Sequence, residues 1–118
     1  IASFHRIGPE HLNWPVILSV PHAGRDYPDD LAEYCRFTPK QLRSLEDRYA
    51  DRLIGHAQSA GFVGLVAQTP RALIDLNRTE HDVDPGMLSA PLGPTPQLSA
   101  KARGGLGLIP RRTANLGE

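Results

Sequence analysis

The segment that most constrains this chain is Pro15-Val16-Ile17-Leu18-Ser19-Val20-Pro21. A short apolar run bracketed by prolines is too brief for a helix. Rich in β-branched residues, it reads as a central strand buried on both faces. Pro21 closes it because proline cannot donate to a ladder. His22-Ala23-Gly24-Arg25-Asp26-Tyr27-Pro28 then forms the loop leaving the strand's C-terminal end. Thr38-Pro39 starts a helix, with a capping hydroxyl and proline at the first helical position. Leu42, Leu45, Tyr49, Leu53 and Ala57 are spaced by three and four, predicting one amphipathic helix from Pro39 to about Ser59, ended by Gly61. Phe62 to Ala67 is expected as a second strand and Ala72 to Leu76 as a third. Strand, helix, strand in this order favours a right-handed parallel crossover. The short connection Gln68-Thr69-Pro70-Arg71 leaves the third strand free to run antiparallel to the second. The expected class is α/β, with a central mixed, mostly parallel sheet flanked by helices.

Residues 1–14 read as an irregular lead-in, and Gly104 to Ile109 as a weak strand. Eleven glycines and eleven prolines, many in the last third, leave Ser89 to Pro96 without a regular element. That stretch is expected to be an active-site lid or covering loop. The length of 118 residues suits one domain, although 40% apolar residues is low for a full core. Thirteen basic and thirteen acidic residues balance, so nothing draws the chain toward nucleic acid or an anionic membrane. No apolar run approaches the roughly 20 residues of a membrane span. The N-terminus lacks a signal-peptide pattern, and lacking Met it is expected to be trimmed or incomplete. A single cysteine, Cys35, fits a reducing compartment and a cytoplasmic location. It is expected to be a half-buried small apolar residue rather than a nucleophile.

Two strand ends carry the chemistry. The apolar run Ala72-Leu73-Ile74 leads into Asp75-Leu76-Asn77-Arg78, delivering an amide and a guanidinium at its tip. The planar fork of Arg78 matches two carboxylate oxygens, and Asn77 adds a neutral donor and acceptor. The other strand end offers the imidazole of His22, a group suited to metals and proton transfer. Taken singly, Arg78 could equally be a surface ion-pair partner and His22 a loop residue. Glu46 falls inside the helical stripe, about 40° from Leu42 on a wheel of 100° per residue. A carboxylate there needs a cation, hydrogen-bond donors or a metal. Asp47 and Asp51 sit on the stripe's flank. His81 reads as part of a solvated polar turn, and His5, His11 and His56 as bystanders.

Several motifs in order resemble the N-formylglutamate amidohydrolase family. They are Val20-Pro21-His22-Ala23-Gly24 with Tyr27-Pro28, Leu45-Glu46-Asp47 with Asp51 and Leu53, and Pro70-Arg71-Ala72 with Ile74-Asp75-Leu76-Asn77-Arg78. Asp84-Pro85 with Met87 completes the set. The similarity covers residues 13–118 and only the N-terminal portion of a family whose members are about twice this length. The resemblance therefore implies that residues 1–118 are the N-terminal portion of a single α/β hydrolase domain, here incomplete. It also implies a phosphorylase/hydrolase-like fold like that of zinc carboxypeptidases and aspartoacylase-type deacylases.

On that resemblance Asn77 and Arg78 hold a carboxylate of an N-acyl amino acid, and Arg71 polarises the scissile carbonyl. His22 is the first zinc ligand. The relatives' Glu three residues after the histidine is absent here, where Arg25 stands. The second ligand is then Asp47, which the resemblance favours, or Glu46, which the wheel favours. A hydrolytic zinc site takes about three protein ligands and an open position for water. A second histidine and a catalytic Glu are expected beyond residue 118. The implied activity is zinc-dependent hydrolysis of N-formyl-L-glutamate or another N-acyl acidic amino acid, giving glutamate and formate, a step of histidine degradation. The fragment alone is expected to be inactive, with a homo-oligomer contact or covering chain over its exposed sheet edges. The alternatives are a carboxylate-binding module or a degenerate relative without metal, and a structural domain in which Arg71 and Arg78 only form ion pairs.

Overall fold

The structure is a computed structural model, and it describes residues 2–91, 93–94 and 97–113. Three strands form one sheet: β1 (Phe4–Ile7), β2 (Ile17–Val20) and β3 (Val63–Ala67), in the order β1-β3-β2. β2 and β3 run parallel, with Ile17 opposite Val63 and Val20 opposite Val66. The parallel crossover expected from strand, helix, strand is therefore present. β1 pairs antiparallel with β3, Phe4 facing Ala67 and Ile7 facing Gly64. With one parallel and one antiparallel ladder among the described residues, the sheet is mixed but not mostly parallel.

β3, not β2, takes the central place. Val63, Gly64, Val66 and Ala67 are buried, whereas Ile17 on β2 is 53% exposed. Among the described residues the proline-bracketed run, expected in the middle of the sheet, lies at its edge. Residues 1–14, which read as an irregular lead-in in the sequence, contain the strand β1. Backbone pairing to β3 makes it a strand, and the Arg6 guanidinium pins the following turn on the carbonyls of Pro9 and Glu10, at 2.5 and 2.8 Å.

The single long helix is replaced by short pieces. α1 is Leu31–Tyr34, α2 Pro39–Arg43, α3 Ala50–Leu53 and α4 Gly55–Ser59. The start at Thr38 is as expected. Its hydroxyl accepts from the Gln41 N–H while the Gln41 side chain accepts from the Thr38 N–H, a reciprocal capping box. The helix ends at Arg43, and two features keep it from resuming across residues 44–49. The Asp47 N–H donates to the His22 carbonyl at 2.9 Å instead of continuing the helical ladder, and Tyr49 adopts a left-handed backbone with φ of 69°. Leu42 and Leu45 are buried as the stripe required, but Leu53 is 82% exposed.

Residues 72–76 form no strand. The Leu73 and Ile74 N–H groups both turn back to the Pro70 carbonyl, and the Asp75 N–H reaches across to Leu108. Pro70 and the wholly buried Asp75 bend this segment into a turn. Residues 104–109 supply only an isolated bridge between Leu106 and Pro110, after α5 (Ala100–Arg103). Of the Ser89 to Pro96 stretch expected as a lid, Leu92, Thr95 and Pro96 lie outside the described residues.

One core cluster joins the sheet to the loop after β2: Val20, Ala23 and Val66, with Ile7, Ala50 and Ile54 packed against it. Gly24 lets the loop after β2 press on the end of β3, since a Cβ there would stand 2.1 Å from the Thr69 carbonyl oxygen. Among the described residues no helix is long and apolar enough to cross a membrane.

Candidate active site

The loop that follows β2 carries His22 into the protein, where it is buried. Two carboxylates meet its ring. Nε2 lies 2.7 Å from Asp75 Oδ1, and Nδ1 lies 3.2 Å from Asp47 Oδ2. Asp75 is the hub. Its Oδ1 also accepts from the Asn77 N–H at 2.9 Å, and its Oδ2 accepts from Arg71 Nε at 2.9 Å with an Arg78 nitrogen 3.8 Å away. Burial alone would push the Asp75 carboxyl's pKa up. The hydrogen bonds from His22 and Asn77 and the charge of Arg71 outweigh burial and hold it below its ordinary value. Asp75 therefore stands ionised and fully partnered.

The imidazole's partners have unequal surroundings. The Asp75 side chain has no exposure, whereas that of Asp47 is 61% exposed. A neutral imidazole has one N–H. With that proton on Nε2 for Asp75, Nδ1 and Asp47 Oδ2 turn lone pairs toward each other. A second proton or a cation between them makes the contact attractive.

The expected site residues fall into two groups. His22, Asp47, Arg71, Asn77 and Arg78 converge around Asp75. Glu46 is engaged elsewhere: its side chain is wholly buried, with Oε1 accepting from the Tyr27 hydroxyl and Oε2 from Arg48 Nε, each at 2.7 Å. Burial, then the hydrogen bond and charge of Glu46, push the Tyr27 phenol's pKa well up. A carboxylate on the apolar stripe did require partners, and Tyr27 and Arg48 are those partners. Arg25 donates to Asp51 at 2.8 Å.

The two arginines differ. Arg78 Nε donates to the Leu106 carbonyl at 2.9 Å and its NH1 to the Asn77 carbonyl at 2.7 Å, so much of its fork braces backbone. Arg71 uses Nε on Asp75, and its terminal nitrogens have no hydrogen-bond partner among the described residues. The Asn77 side chain is exposed. His81 is an exposed partner of Glu80 at 3.6 Å, as a solvated turn requires. Asp75 itself was missed as a site residue. Its signal was a carboxylate within Leu73-Ile74-Asp75-Leu76, which burial would orphan without cations. Among the described residues no group of three or more His, Cys, Asp or Glu side chains is arranged to hold a metal ion.

Fold and site together define an α/β protein with a histidine–carboxylate–arginine cluster beyond the end of a parallel strand, where open sheets place their ligand sites. The sequence matches the N-formylglutamate amidohydrolase family model over residues 14–118. A solved structure of N-formylglutamate amidohydrolase from Ralstonia eutropha JMP134 is 35% identical, with a TM-score of 0.83 over 93% of this chain. The present chain spans 39% of that relative's length. No functionally curated protein matches at a comparable level. The chain belongs to the N-formylglutamate amidohydrolase family.

Proposed function

We propose that this chain is the N-terminal portion of a zinc-dependent amide hydrolase with a zinc-carboxypeptidase-like fold. Its substrate is an N-acyl acidic amino acid such as N-formyl-L-glutamate, cleaved to glutamate and formate. Family membership and the 39% share of the relative's length support the class and the reading as a portion of a longer domain. The observation that carries the site is the clamped imidazole of His22, with Asp75 on Nε2 and the exposed Asp47 on Nδ1.

That donor set suits zinc. An imidazole nitrogen and a carboxylate oxygen facing each other are donor types that zinc takes. His22 Nδ1 and Asp47 Oδ2 lie 3.2 Å apart. Asp75 on the far ring nitrogen matches the usual outer partner of a ligating histidine, which fixes its tautomer and orientation. His22 and Asp47 are the two assigned ligands, ahead of Glu46, whose oxygens Tyr27 and Arg48 occupy. A third ligand and the general base are assigned to residues beyond this chain. Bound zinc supplies an acidified water and a Lewis acid for the acyl carbonyl.

The protein's own groups orient the substrate. The exposed Asn77 amide and the Arg78 guanidinium hold a carboxylate of the acyl amino acid. Arg71, fixed through Nε by Asp75, turns its terminal N–H groups to the carbonyl oxygen, where negative charge develops. Water oxygen bonds to the formyl carbon, the C–N bond breaks, and the amine leaves with a proton.

The test uses the full-length gene product: bound zinc is quantified and formate release from N-formylglutamate is assayed. One zinc per chain, with activity lost in His22→Ala, is expected. Zinc without formate release keeps the deacylase class and redirects the search to other acyl amino acids. Neither zinc nor release overturns the proposal in favour of a carboxylate-binding module. The isolated 118-residue chain is expected to be inactive.

A further inference from the structure

Asp47 presents a problem of placement. Its side chain is largely exposed and residues 44–49 have no regular helical structure, yet its carboxylate sits 3.2 Å from a buried imidazole. One backbone bond, from the Asp47 N–H to the His22 carbonyl, ties the two segments together. The Asp47 carbonyl accepts in turn from the Ala50 N–H at 3.0 Å, and Arg25 of the His22 loop donates to Asp51 at 2.8 Å; these bonds hold the main chain and α3, and none of them orients residues 44–46 on the near side of Asp47.

The neighbouring residue supplies the missing constraint. Glu46 buries its whole side chain beside this turn, an expensive location for a carboxylate unless each oxygen is satisfied. Both are. The Tyr27 hydroxyl donates to one oxygen and Arg48 Nε to the other. Tyr27 belongs to the loop that also carries His22, so its bond to Glu46 joins the Asp47 turn to the His22 loop a second time. Arg48 lies on the far side of Asp47, so its bond closes the turn on itself around that residue. Next comes Tyr49, the one non-glycine residue with positive φ among those described. Such a conformation persists only where its surroundings over-determine it. The Tyr49 ring lies under the guanidiniums of Arg52, Arg25 and Arg48, at 4.3, 5.4 and 5.8 Å.

We infer that Glu46 is a positioning residue: its buried carboxylate, clamped by Tyr27 and Arg48, holds the turn that presents Asp47 to His22. This rests on the proposed pairing of Asp47 with His22. It gives Glu46 a role distinct from metal ligation and explains why a charged residue occupies the buried side of the turn.

The full-length protein tests it through Glu46→Gln and the milder Tyr27→Phe. In metal-free, histidine-15N-labelled protein, the His22 Nδ1 resonance reports its contact with Asp47. Both variants are expected to move it in the direction that Asp47→Asn does. In the zinc-loaded enzyme Glu46→Gln is expected to lower kcat about 10–100-fold, the usual effect of losing an outer-shell support. KM should stay within about twofold, since the groups assigned to bind substrate are untouched.

A fall in thermal stability with an unmoved His22 resonance would reduce Glu46 to a packing residue and overturn the inference. Zinc loss as complete as in His22→Ala would overturn it the other way, making Glu46 a ligand. Should Glu46→Gln not fold, Tyr27→Phe decides by the same readouts. The nitrogen resonance needs no turnover, so a protein that releases no formate still decides this inference separately from the proposed activity.

Discussion

Replacing Asp75 with asparagine tests the centre of the cluster. The change keeps the side chain's shape and removes its charge. In the native protein the two oxygens accept from His22 Nε2 at 2.7 Å, the Asn77 N–H at 2.9 Å and Arg71 Nε at 2.9 Å. An asparagine converts one of those oxygens into a donor. Whichever way the amide is turned, an N–H faces either Arg71 or the His22 and Asn77 donors. Hydrogen bonds to charged groups contribute about 1.5–3 kcal/mol each, and breaking a buried ion pair costs about 3–5 kcal/mol. Arg71 remains 18% exposed and partly hydrated, which puts the expected loss near the lower bound, about 3 kcal/mol. With a urea slope of about 1–3 kcal/mol/M, the unfolding midpoint followed by circular dichroism should fall by at least about 1 M at unchanged slope. Arg71→Ala in the same background should cost less than its single effect, with a coupling of about 1–3 kcal/mol. A midpoint within about 0.3 M of the native protein would refute the reasoning, because it would mean Asp75 is not what neutralises the arginines.

Three further outcomes follow from the geometry. Gly24→Ala places a methyl 2.1 Å from the Thr69 carbonyl oxygen, so the loop after β2 must lift off β3. Thermal unfolding should show a loss of about 1–3 kcal/mol. Asn77→Ala removes an exposed residue's side chain and should leave stability within about 0.5 kcal/mol; in the full-length protein, on the proposed function, it should raise KM for the acyl amino acid about tenfold, as steady-state kinetics would show. Asp82 accepts from the Ser99 hydroxyl and N–H, which hold its carboxyl below the ordinary 3.8. A depressed carboxyl stabilises the fold fully above about pH 4, and that contribution disappears as pH falls through the lower folded value. Exchange at the Ser99 amide should therefore accelerate in acid beyond its intrinsic trend, and Asp82→Asn should abolish the extra acceleration.

Local signals were legible wherever neighbouring residues decide the outcome. Thr38, Pro39 and Gln41 announce a helix start in their own chemistry, and the structure has a capping box there. The parallel relation of β2 and β3 followed from strand order and an intervening helical segment. Misreadings arose where distant partners overrule local pattern. The stripe from Leu42 to Ala57 is a valid helical period, but the His22 carbonyl takes the Asp47 N–H and Tyr49 turns left-handed, so the helix that ends at Arg43 does not resume across residues 44–49. Ala72 to Leu76 has the composition of a strand, but Asp75 within it must reach His22 and Arg71, and the backbone bends to allow that.

For the site, residue types pointed to His22, Asn77 and Arg78, whereas Arg71 entered only through the family resemblance. Residue types could not separate Asp47 from Glu46, because adjacent carboxylates look alike in one dimension. Only tertiary structure turns one to the imidazole and buries the other against Tyr27 and Arg48. Nor could they reveal Asp75 as the hub, since its role depends on groups brought from residues 22, 71 and 77 to one buried point. By itself the sequence determined the chemical repertoire and the local starts and stops, which are properties of residues close in the chain, and the family, which several motifs in a fixed order carry. The tertiary structure decided which strand is central and which carboxylate meets the histidine. Both depend on desolvation and charge pairing between segments far apart in sequence, and local pattern carries no information about them.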